Sequence, residues 1–252
     1  MIKRLNAPYG AHPFFVPSEE KAQIWRYMDF TKFASLLDSS ALFFSRADYL
    51  SDTWEGAHTA ENVRRRSQMV SREFRSDLGL SELYRAVRLH TFLNCWHLSP
   101  VESAAMWKLY VTQSEGIAIQ TTFGRLTASL DGDDGEMFNT YVGKVRYLDY
   151  ETGVFPDGNT FVPFLHKRLS FEHEHELRAV IQPISPGRGP LVESEPFADG
   201  LLVPVNLAQL IESIYVAPTS EKWFAEIVEN ISRKYGVSAP VRHSDLGRDP
   251  VY

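Results

Sequence analysis

The sequence predicts a single α+β domain, in which peripheral helices pack around a mixed or largely antiparallel central sheet. Short segments rich in β-branched and aromatic residues recur along the chain, as is typical of strands. Segments with apolar residues at helical spacing lie between them. No linker divides residues 23–252, so they are predicted to form one domain after an irregular leader, residues 1–22, with Pro8, Pro13 and Pro17.

The first half of the chain is predicted to alternate strands and helices. Asp29 is a candidate N-cap for a helix with apolar Phe30 and Phe33, and Ser99 or Ser103 caps another that runs through Tyr110. The other predicted helices are 58–90 and 123–130. The predicted strands are 23–28, 42–46, 91–97 and 116–121.

The second half continues the same alternation. The Asp-Gly-Asp-Asp-Gly stretch at 131–135 predicts a surface turn, and the Pro- and Gly-containing segment 183–196 predicts a loop. The predicted strands are 141–148, 174–181, 200–205, 214–217 and one that starts at Val241. The predicted helices are 161–169, 207–211 and 220–235.

Composition excludes some classes of protein. The 252 residues carry 26 basic and 32 acidic side chains, a net charge of −6, which argues against coating nucleic acid through bulk charge. Cys95 is the only cysteine, which excludes an intramolecular disulfide and a multi-thiolate zinc site and favours a reducing, cytoplasmic location. No targeting signal and no run of about 20 apolar residues is found, so no membrane partner is expected.

The string Phe-Glu-His-Glu-His-Glu-Leu-Arg at 171–178 is the densest polar segment. On a strand, Glu174, Glu176 and Arg178 share one face. Two carboxylates so close raise at least one pKa, which suits acid–base chemistry or the orientation of a ribose hydroxyl. A surface ion pair between Glu176 and Arg178 is the structural alternative.

The histidines of the same string allow two further interpretations. His173 and His175 form a His-x-His pair that chelates a metal if His97 or His166 supplies a third ligand, although no metal is expected. Cys95 lies two residues before His97, on the same face of a strand, as a Cys/His nucleophile pair requires. A lone cysteine on a strand is also typical of a small buried hydrophobe.

Arginines supply the candidate anion-binding groups. Arg26 and Arg46 lie on or at the end of early strands, where their guanidinium groups suit a pyrophosphate. Ion pairs at the strand ends, to Asp48, Asp52 or Glu55, are the structural alternative. A basic segment, residues 64–88, is either a solvated helix face or a docking site for an anionic acceptor. Its arginines are Arg64, Arg65, Arg66, Arg72, Arg75, Arg85 and Arg88.

Several motifs together resemble an uncharacterised bacterial family, domain of unknown function 2971. They are Trp-Arg-Tyr-Met-Asp-Phe at 25–30, Leu-Phe-Phe-Ser-Arg-Ala-Asp at 42–48, Asp-Thr-Trp-Glu-Gly at 52–56, Cys-Trp-His and Ser-Ala-Ala-Met-Trp-Lys-Leu-Tyr within 95–110, Glu-Gly-Ile-Ala-Ile at 115–119, and Lys-Arg-Leu-Ser-Phe-Glu-His-Glu-His-Glu-Leu-Arg at 167–178. The resemblance covers roughly residues 23–220 and implies little about activity.

The order of elements also resembles that of ADP-ribosyltransferases. In that fold a first strand carries an Arg or His that holds NAD, a central strand with a Ser/Thr or Tyr motif runs into a helix, and a late strand carries a catalytic Glu, often in Glu-x-Glu. The matching positions are Arg26, residues 94–103 and Glu174-x-Glu176. Asn-Cys-Trp-His stands where the family has Ser-Thr-Ser.

The resemblance implies catalytic roles for Glu174 and Glu176 and an NAD or other anionic-nucleotide site. A carboxylate stabilises the positive charge that builds on the ribose as the nicotinamide bond breaks. The implied binding residues are Arg26, Tyr27, Arg46, Trp96, His97, Ser103, Trp107, Tyr110 and Arg178.

Three functions therefore remain open. The first is an NAD-dependent ADP-ribosyltransferase-like enzyme, such as a toxin or phage-defence effector, whose nucleic-acid or protein acceptor docks near Arg64–Arg88. The second is a hydrolase or nuclease that uses the Glu/His cluster. The third is a non-catalytic sensor or interaction domain in which the Glu/Arg string is a buried polar network. The sequence leaves the oligomeric state open.

Overall fold

The computed structural model describes residues 1–69, 77–111, 115–130, 137–184, 191–248 and 250. The helices within them are α1 (Phe30–Ser39), α2 (Ala60–Met69), α3 (Asp77–Leu89), α4 (Ala104–Tyr110), α5 (Phe123–Ser129), α6 (Leu207–Leu210) and α7 (Lys222–Lys234). The strands are β1 (Ile2–Arg4), β2 (Tyr9–Gly10), β3 (Gln23–Asp29), β4 (Ala41–Arg46), β5 (Phe92–Leu98), β6 (Gly116–Thr122), β7 (Thr140–Lys144), β8 (Arg146–Leu148), β9 (His166–Arg168), β10 (Glu176–Ile181), β11 (Gly200–Pro204), β12 (Ser213–Val216) and β13 (Val241–His243).

Within the described residues, eleven strands form one mixed sheet. Its main path runs β1-β11-β4-β5-β3-β6-β12-β13, and β10, β7 and β2 branch from β5. Most pairs are antiparallel, whereas β1–β11, β12–β13 and β2–β7 are parallel. Strands β8 and β9 pair separately. The predicted α+β class with a mixed, largely antiparallel sheet is confirmed.

Strand β5 lies where the sheet divides. Along one edge it pairs with β10 from end to end. Along the other edge its start pairs with β4 and its end pairs with β3. At Asn94–Trp96, between these two partners, no described strand pairs with this edge, so β3 and β4 diverge and leave a cleft over the middle of β5.

Side chains replace the missing backbone partners in the cleft. Buried backbone polar groups need hydrogen bonds. Nη1 of Arg26 donates to the Cys95 carbonyl oxygen at 3.2 Å, and Nδ2 of Asn94 donates to the Phe43 carbonyl oxygen at 2.9 Å. These two hydrogen bonds satisfy one backbone carbonyl oxygen on β5 and one on β4, at the two sides of the cleft.

The core lies on both faces of the sheet. The larger cluster packs one face against α1, α5, α6 and α7, with Phe33, Leu126, Leu210 and Val228 among its fully buried members. The amphipathic pattern predicted for α7 is confirmed by its buried Phe224 and Val228. Two smaller clusters cover the opposite face, one around Phe164 and the other around Tyr27 and Trp107.

The structure corrects the predicted elements at several places. Residues 162–165 form a 3-10 turn and 166–168 form β9, where one helix over 161–169 is predicted. The predicted strand 141–148 is divided at Val145 into β7 and β8, because β7 pairs with β10 and β8 pairs with β9. The leader, residues 1–22, contributes β1 and β2 to the sheet.

A few predicted features lie outside the described residues. They are the turn at 131–135, Arg72 and Arg75 of the basic segment, and residues 185–190 of the predicted loop. Among the described helices, none combines the length and apolar character that crossing a membrane requires.

Candidate functional site

A buried ion network lies beside the cleft and centres on Arg178 of β10. The Arg178 side chain is fully buried. Its Nε donates to Oε2 of Glu176 at 2.6 Å, and its Nη1 and Nη2 each donate to one carboxylate oxygen of Glu55 at 2.7 Å. Nη1 also donates to the Phe164 carbonyl oxygen at 2.9 Å. Glu176 and Arg178 share one strand face as predicted, but their ion pair is buried, so the surface pair that the sequence offered as an alternative is wrong.

Lys167 of β9 extends the network to a second carboxylate. Its Nζ donates to Oε2 of Glu174 at 2.6 Å and to Oε1 of Glu176 at 2.8 Å. Glu174 lies in a 3-10 turn, Leu169–Glu174, that ends at His175 with a φ of 41°. The prediction that Glu174 lies on a strand with Glu176 is therefore wrong, but the turn still brings the two carboxylates together through Lys167.

The two neighbouring carboxyl groups differ in acidity. Burial raises the pKa of Glu174 to about 7, and the charge of Glu176 adds to this rise. Burial acts in the same direction on Glu176, but the attraction of Arg178 outweighs it and holds the pKa of Glu176 well below its ordinary value. Neighbouring acids with pKa values pushed apart are a common basis for separate acid–base roles. Glu174 is the member of this pair that changes charge near neutral pH.

A cavity of about 670 Å³ opens at the cleft between β3 and β4. Its wall is mostly apolar and includes Met28, Leu36 and Phe43. Seven of the residues predicted to form the site also line it, namely Arg26, Tyr27, Trp96, His97, Tyr110, Glu174 and Glu176. The structure therefore brings most of the predicted site to one place.

Two cations line this cavity, Arg26 and Lys32, and the largely exposed Lys32 pairs with Asp29. The Arg26 guanidinium group donates to the Cys95 carbonyl oxygen and lies 5.8 Å from the centre of the Trp96 ring. Burial lowers its pKa. Among the described residues, no carboxylate oxygen lies within ion-pair distance of Arg26, whereas the Arg46 and Arg178 guanidinium groups are paired. The Arg26 side chain is half-buried, so its charge is partly desolvated and an anionic ligand at this point would stabilise it.

Three predicted binding residues support the cavity from behind. The backbone N–H of Ser103 donates to the Tyr27 hydroxyl at 2.8 Å, and the Ser103 side chain caps α4 by accepting from the Met106 N–H. The Trp107 ring packs edge-on against Tyr27 at 5.0 Å. Ser103 and Trp107 thus position Tyr27, as Arg178 positions Glu176.

The prediction that Arg46 binds a pyrophosphate is not supported by its contacts. Its Nε donates to Asp48 at 2.6 Å, and its Nη1 donates to the Ala198 carbonyl oxygen at 3.0 Å and to Asp199 at 3.2 Å. The guanidinium group also lies 4.4 Å from the centre of the Tyr49 ring. The alternative from the sequence, an ion pair with Asp48, is what the structure shows.

The four histidines considered as metal ligands are not brought together: His97 and His166 make backbone contacts, and His173 and His175 are exposed. Nδ1 of His97 is 2.7 Å from the Glu174 carbonyl oxygen, which fixes the 3-10 turn beside the cavity. His173 and His175 are exposed and lie outside any strand. Nδ1 of His166 is 2.7 Å from the Val162 carbonyl oxygen. Within the described part of the chain, no three His, Cys, Asp or Glu side chains are grouped so as to hold a metal ion.

Cys95 lies on the same face of β5 as His97 and lines the cavity. Burial raises the pKa of its thiol, and the nearby negative charge of Glu176 raises it further. Since the thiolate is the nucleophile, these surroundings disfavour the Cys/His nucleophile interpretation. They suit the alternative, a small and mostly buried side chain.

Two members of the ion network, Glu55 and Lys167, are not among the predicted site residues. The sequence offers Glu55 only as an ion-pair partner for the early arginines, and Lys167 only as part of a family motif. The glycine after Glu55 is the one sequence feature that could have drawn attention to this position. Gly56 has a φ of 73°, a conformation that few other residues adopt. A Cβ atom on Gly56 would lie 2.4 Å from Cε1 of Phe164, whose carbonyl oxygen binds Arg178.

Gly56→Ala is therefore expected to destabilise the protein more than Gly236→Ala does. Both glycines have positive φ, 73° and 75°, so both variants incur a similar backbone strain of roughly 1–2 kcal/mol. Only Gly56 also meets a packed ring, which adds about 1–3 kcal/mol. Urea unfolding of both variants checks this difference. Equal losses would show that Phe164 moves aside without cost.

Comparison of the chain with protein-family models, curated proteins and solved structures gives no match.

Proposed function

We propose that the protein is an NAD-dependent ADP-ribosyltransferase-like enzyme, related to the bacterial family of domain of unknown function 2971. One observation carries the proposal. Of the three strands that the resemblance assigns to the site, β5 lies between β3 and β10 and pairs with both. Their residues Arg26, Cys95 and Glu176, together with Glu174 just before β10, line one cavity.

The cavity has the chemistry that such a dinucleotide needs. Its volume of about 670 Å³ lies within the range typical of small-molecule sites. Arg26 supplies the unpaired cation for a phosphate group. Tyr27, Trp96 and Tyr110 supply aromatic surface for a planar ring.

Of the two predicted catalytic glutamates, Glu174 is the better candidate. Both carboxylate oxygens of Glu176 are bonded to Arg178, and one also accepts from Lys167. Glu176 therefore anchors the network. Glu174 lines the cavity at the end of a turn, and as a carboxylate it can orient a ribose hydroxyl and stabilise positive charge on the ribose.

One observation favours a second candidate, a non-catalytic sensor or interaction domain. That hypothesis expects the Glu/Arg string to be a buried polar network, and Arg178 with Glu55 and Glu176 forms such a network. In this alternative the cavity binds an anionic ligand without breaking a bond.

The biological setting that we propose for the enzyme is a cytoplasmic toxin or phage-defence effector that modifies nucleic acid or protein.

Calorimetric titration with NAD tests the proposal. We expect the wild type to bind and Arg26→Gln to bind at least about tenfold more weakly, because it loses a charge-assisted hydrogen bond to phosphate. Arg64→Gln removes the same charge from an exposed position on α2 and should bind like the wild type. Absence of NAD binding by folded wild type, or equal binding by Arg26→Gln, would contradict the proposal.

Intrinsic fluorescence offers an independent measure of occupancy. Because the rings of Trp96 and Tyr110 line the cavity, bound NAD should quench part of the protein's fluorescence. Arg26→Gln should lose that quenching at the same NAD concentration. Quenching without nicotinamide release, in the presence of candidate acceptors, would favour the sensor alternative.

A further inference from the structure

A second cavity, of about 280 Å³, lies between the loop after Glu55 and the helices α2 and α3. Three arginines line it, Arg66 from α2 and Arg85 and Arg88 from α3. His58, Tyr84 and Ser81 complete the polar part of its wall. This cavity is separate from the cleft between β3 and β4, and none of the proposed NAD-binding residues lines it.

The arginines of this cavity are incompletely paired. Among the described residues, the Nε atoms of Arg66 and Arg88 are buried and have no hydrogen-bond partner. Arg66 has one distant ion pair, 3.8 Å from Asp157, and Arg88 donates through Nη1 to the Thr53 carbonyl oxygen at 3.0 Å. Buried donors without a partner are rare in folded proteins, because each loses its hydrogen bonds to water and gains none in return. The charge of both guanidinium groups is therefore incompletely compensated by the protein, and an anion in the cavity would compensate it.

The acidic residue of the wall does not cancel this positive charge. Both carboxylate oxygens of Glu55 accept hydrogen bonds from Arg178, so its charge is already balanced from the other side. His58 remains neutral at physiological pH, because burial lowers its pKa to about 4 and the neighbouring Arg66 contributes to that fall. The net charge of the described wall is therefore positive.

Aromatic side chains pack along the wall of this cavity. The His58 ring packs against Tyr84 at 4.0 Å and against Phe155 at 5.3 Å. The Arg66 guanidinium group lies 5.4 Å from the centre of the Tyr84 ring. A planar guanidinium held in this way presents its donors in a fixed fork, which matches the oxygen atoms of a phosphate group.

We propose that this second cavity binds a phosphate group through Arg66 and Arg88, with Arg85 at its rim. The same chemistry serves the phosphate of a small molecule and the backbone phosphate of a nucleic acid. The proposal assigns phosphate binding to particular arginines of the basic segment. Arg64 and Arg65 are not among them, because both donate hydrogen bonds to Glu61 on the surface of α2. It does not depend on NAD chemistry in the cleft.

Binding of inorganic phosphate at constant ionic strength, without NAD, tests the site. We expect the wild type to bind phosphate and both Arg66→Gln and Arg88→Gln to bind it at least about tenfold more weakly. Arg64→Gln has the same net charge as these variants and should bind like the wild type. Arg85 is exposed at the rim of the cavity. If Arg66→Gln or Arg88→Gln fails to fold, Arg85→Gln is the variant that tests the site.

A single-stranded octanucleotide without terminal phosphates distinguishes the two sources. If it displaces phosphate from the wild type and itself binds Arg66→Gln more weakly than the wild type, the site binds backbone phosphate. If phosphate binds and the octanucleotide does not compete, the site takes the phosphate of a small molecule. Absence of phosphate binding by folded wild type, or equal weakening in Arg64→Gln, would overturn the proposal.

Discussion

Arg178→Met is expected to destabilise the protein by about 3–5 kcal/mol, the range for removing one partner of a buried ion pair. Methionine fills similar volume but leaves Glu55 and Glu176 buried, each without its guanidinium partner. The Phe164 carbonyl oxygen also loses its donor. The cost therefore comes mainly from desolvated charge rather than from lost packing.

Urea unfolding of Arg178→Met beside Arg64→Met measures this cost. Arg64 forms an exposed pair with Glu61, and such pairs contribute less than about 1 kcal/mol. Adding Glu55→Gln to Arg178→Met removes one stranded charge and should restore part of the loss. If Arg178→Met and Arg64→Met were equally mild, the ion network would not be the structural centre of this region.

Local sequence signals accounted for most elements of the fold. Asp29 caps α1 as predicted, since its carboxylate accepts from the Lys32 N–H at 2.8 Å. The apolar stripe of α7 and the β-branched residues of β6 are equally local signals. Such elements are predictable because neighbouring residues alone determine them.

The region 161–175 was predicted less well because tertiary contacts determine it. Pro163 and its apolar neighbours are buried in a 3-10 turn, and β9 exists because β8 pairs with it. That pairing places Lys167 between Glu174 and Glu176. The helical spacing of apolar residues over 161–169 contains no information about β8, the strand with which β9 pairs.

The sequence indicates which residues form the candidate site, but not which side chains pair with one another. Glu174, Glu176 and Arg26 were recognised from their chemistry, and they do line one cavity. The pairing of Arg178 with Glu55 joins residues 123 positions apart, which no local pattern reveals. For Arg46, the sequence offers both a phosphate and an ion pair with Asp48; the structure shows the ion pair, together with a second one to the distant Asp199, which no local pattern reveals.

Glu174→Gln is expected to reduce nicotinamide release on the order of 10²–10³-fold while NAD binding is retained, if the proposed function holds. Glutamine keeps the shape of the side chain and removes its negative charge. Glu172→Gln is the matched control, because Glu172 is exposed in the same 3-10 turn and should release nicotinamide like the wild type. Equal loss in both variants would indicate a disturbed turn rather than a missing carboxylate.

The pH dependence separates the role of Glu174 in the reaction from its role in the fold. If the carboxylate form acts, wild-type turnover rises with pH through about 7, the pKa of Glu174. Stability changes in the opposite direction: because the folded-state pKa lies above the ordinary value of 4.5, the contribution of Glu174 is complete below about pH 4.5 and is lost as pH rises through about 7. Glu174→Gln should remove this component of the unfolding curve and the rise in turnover together. If turnover in the variant still rose with pH as in the wild type, the titrating group of the reaction would be another residue, and Glu174 would be confined to the ion network.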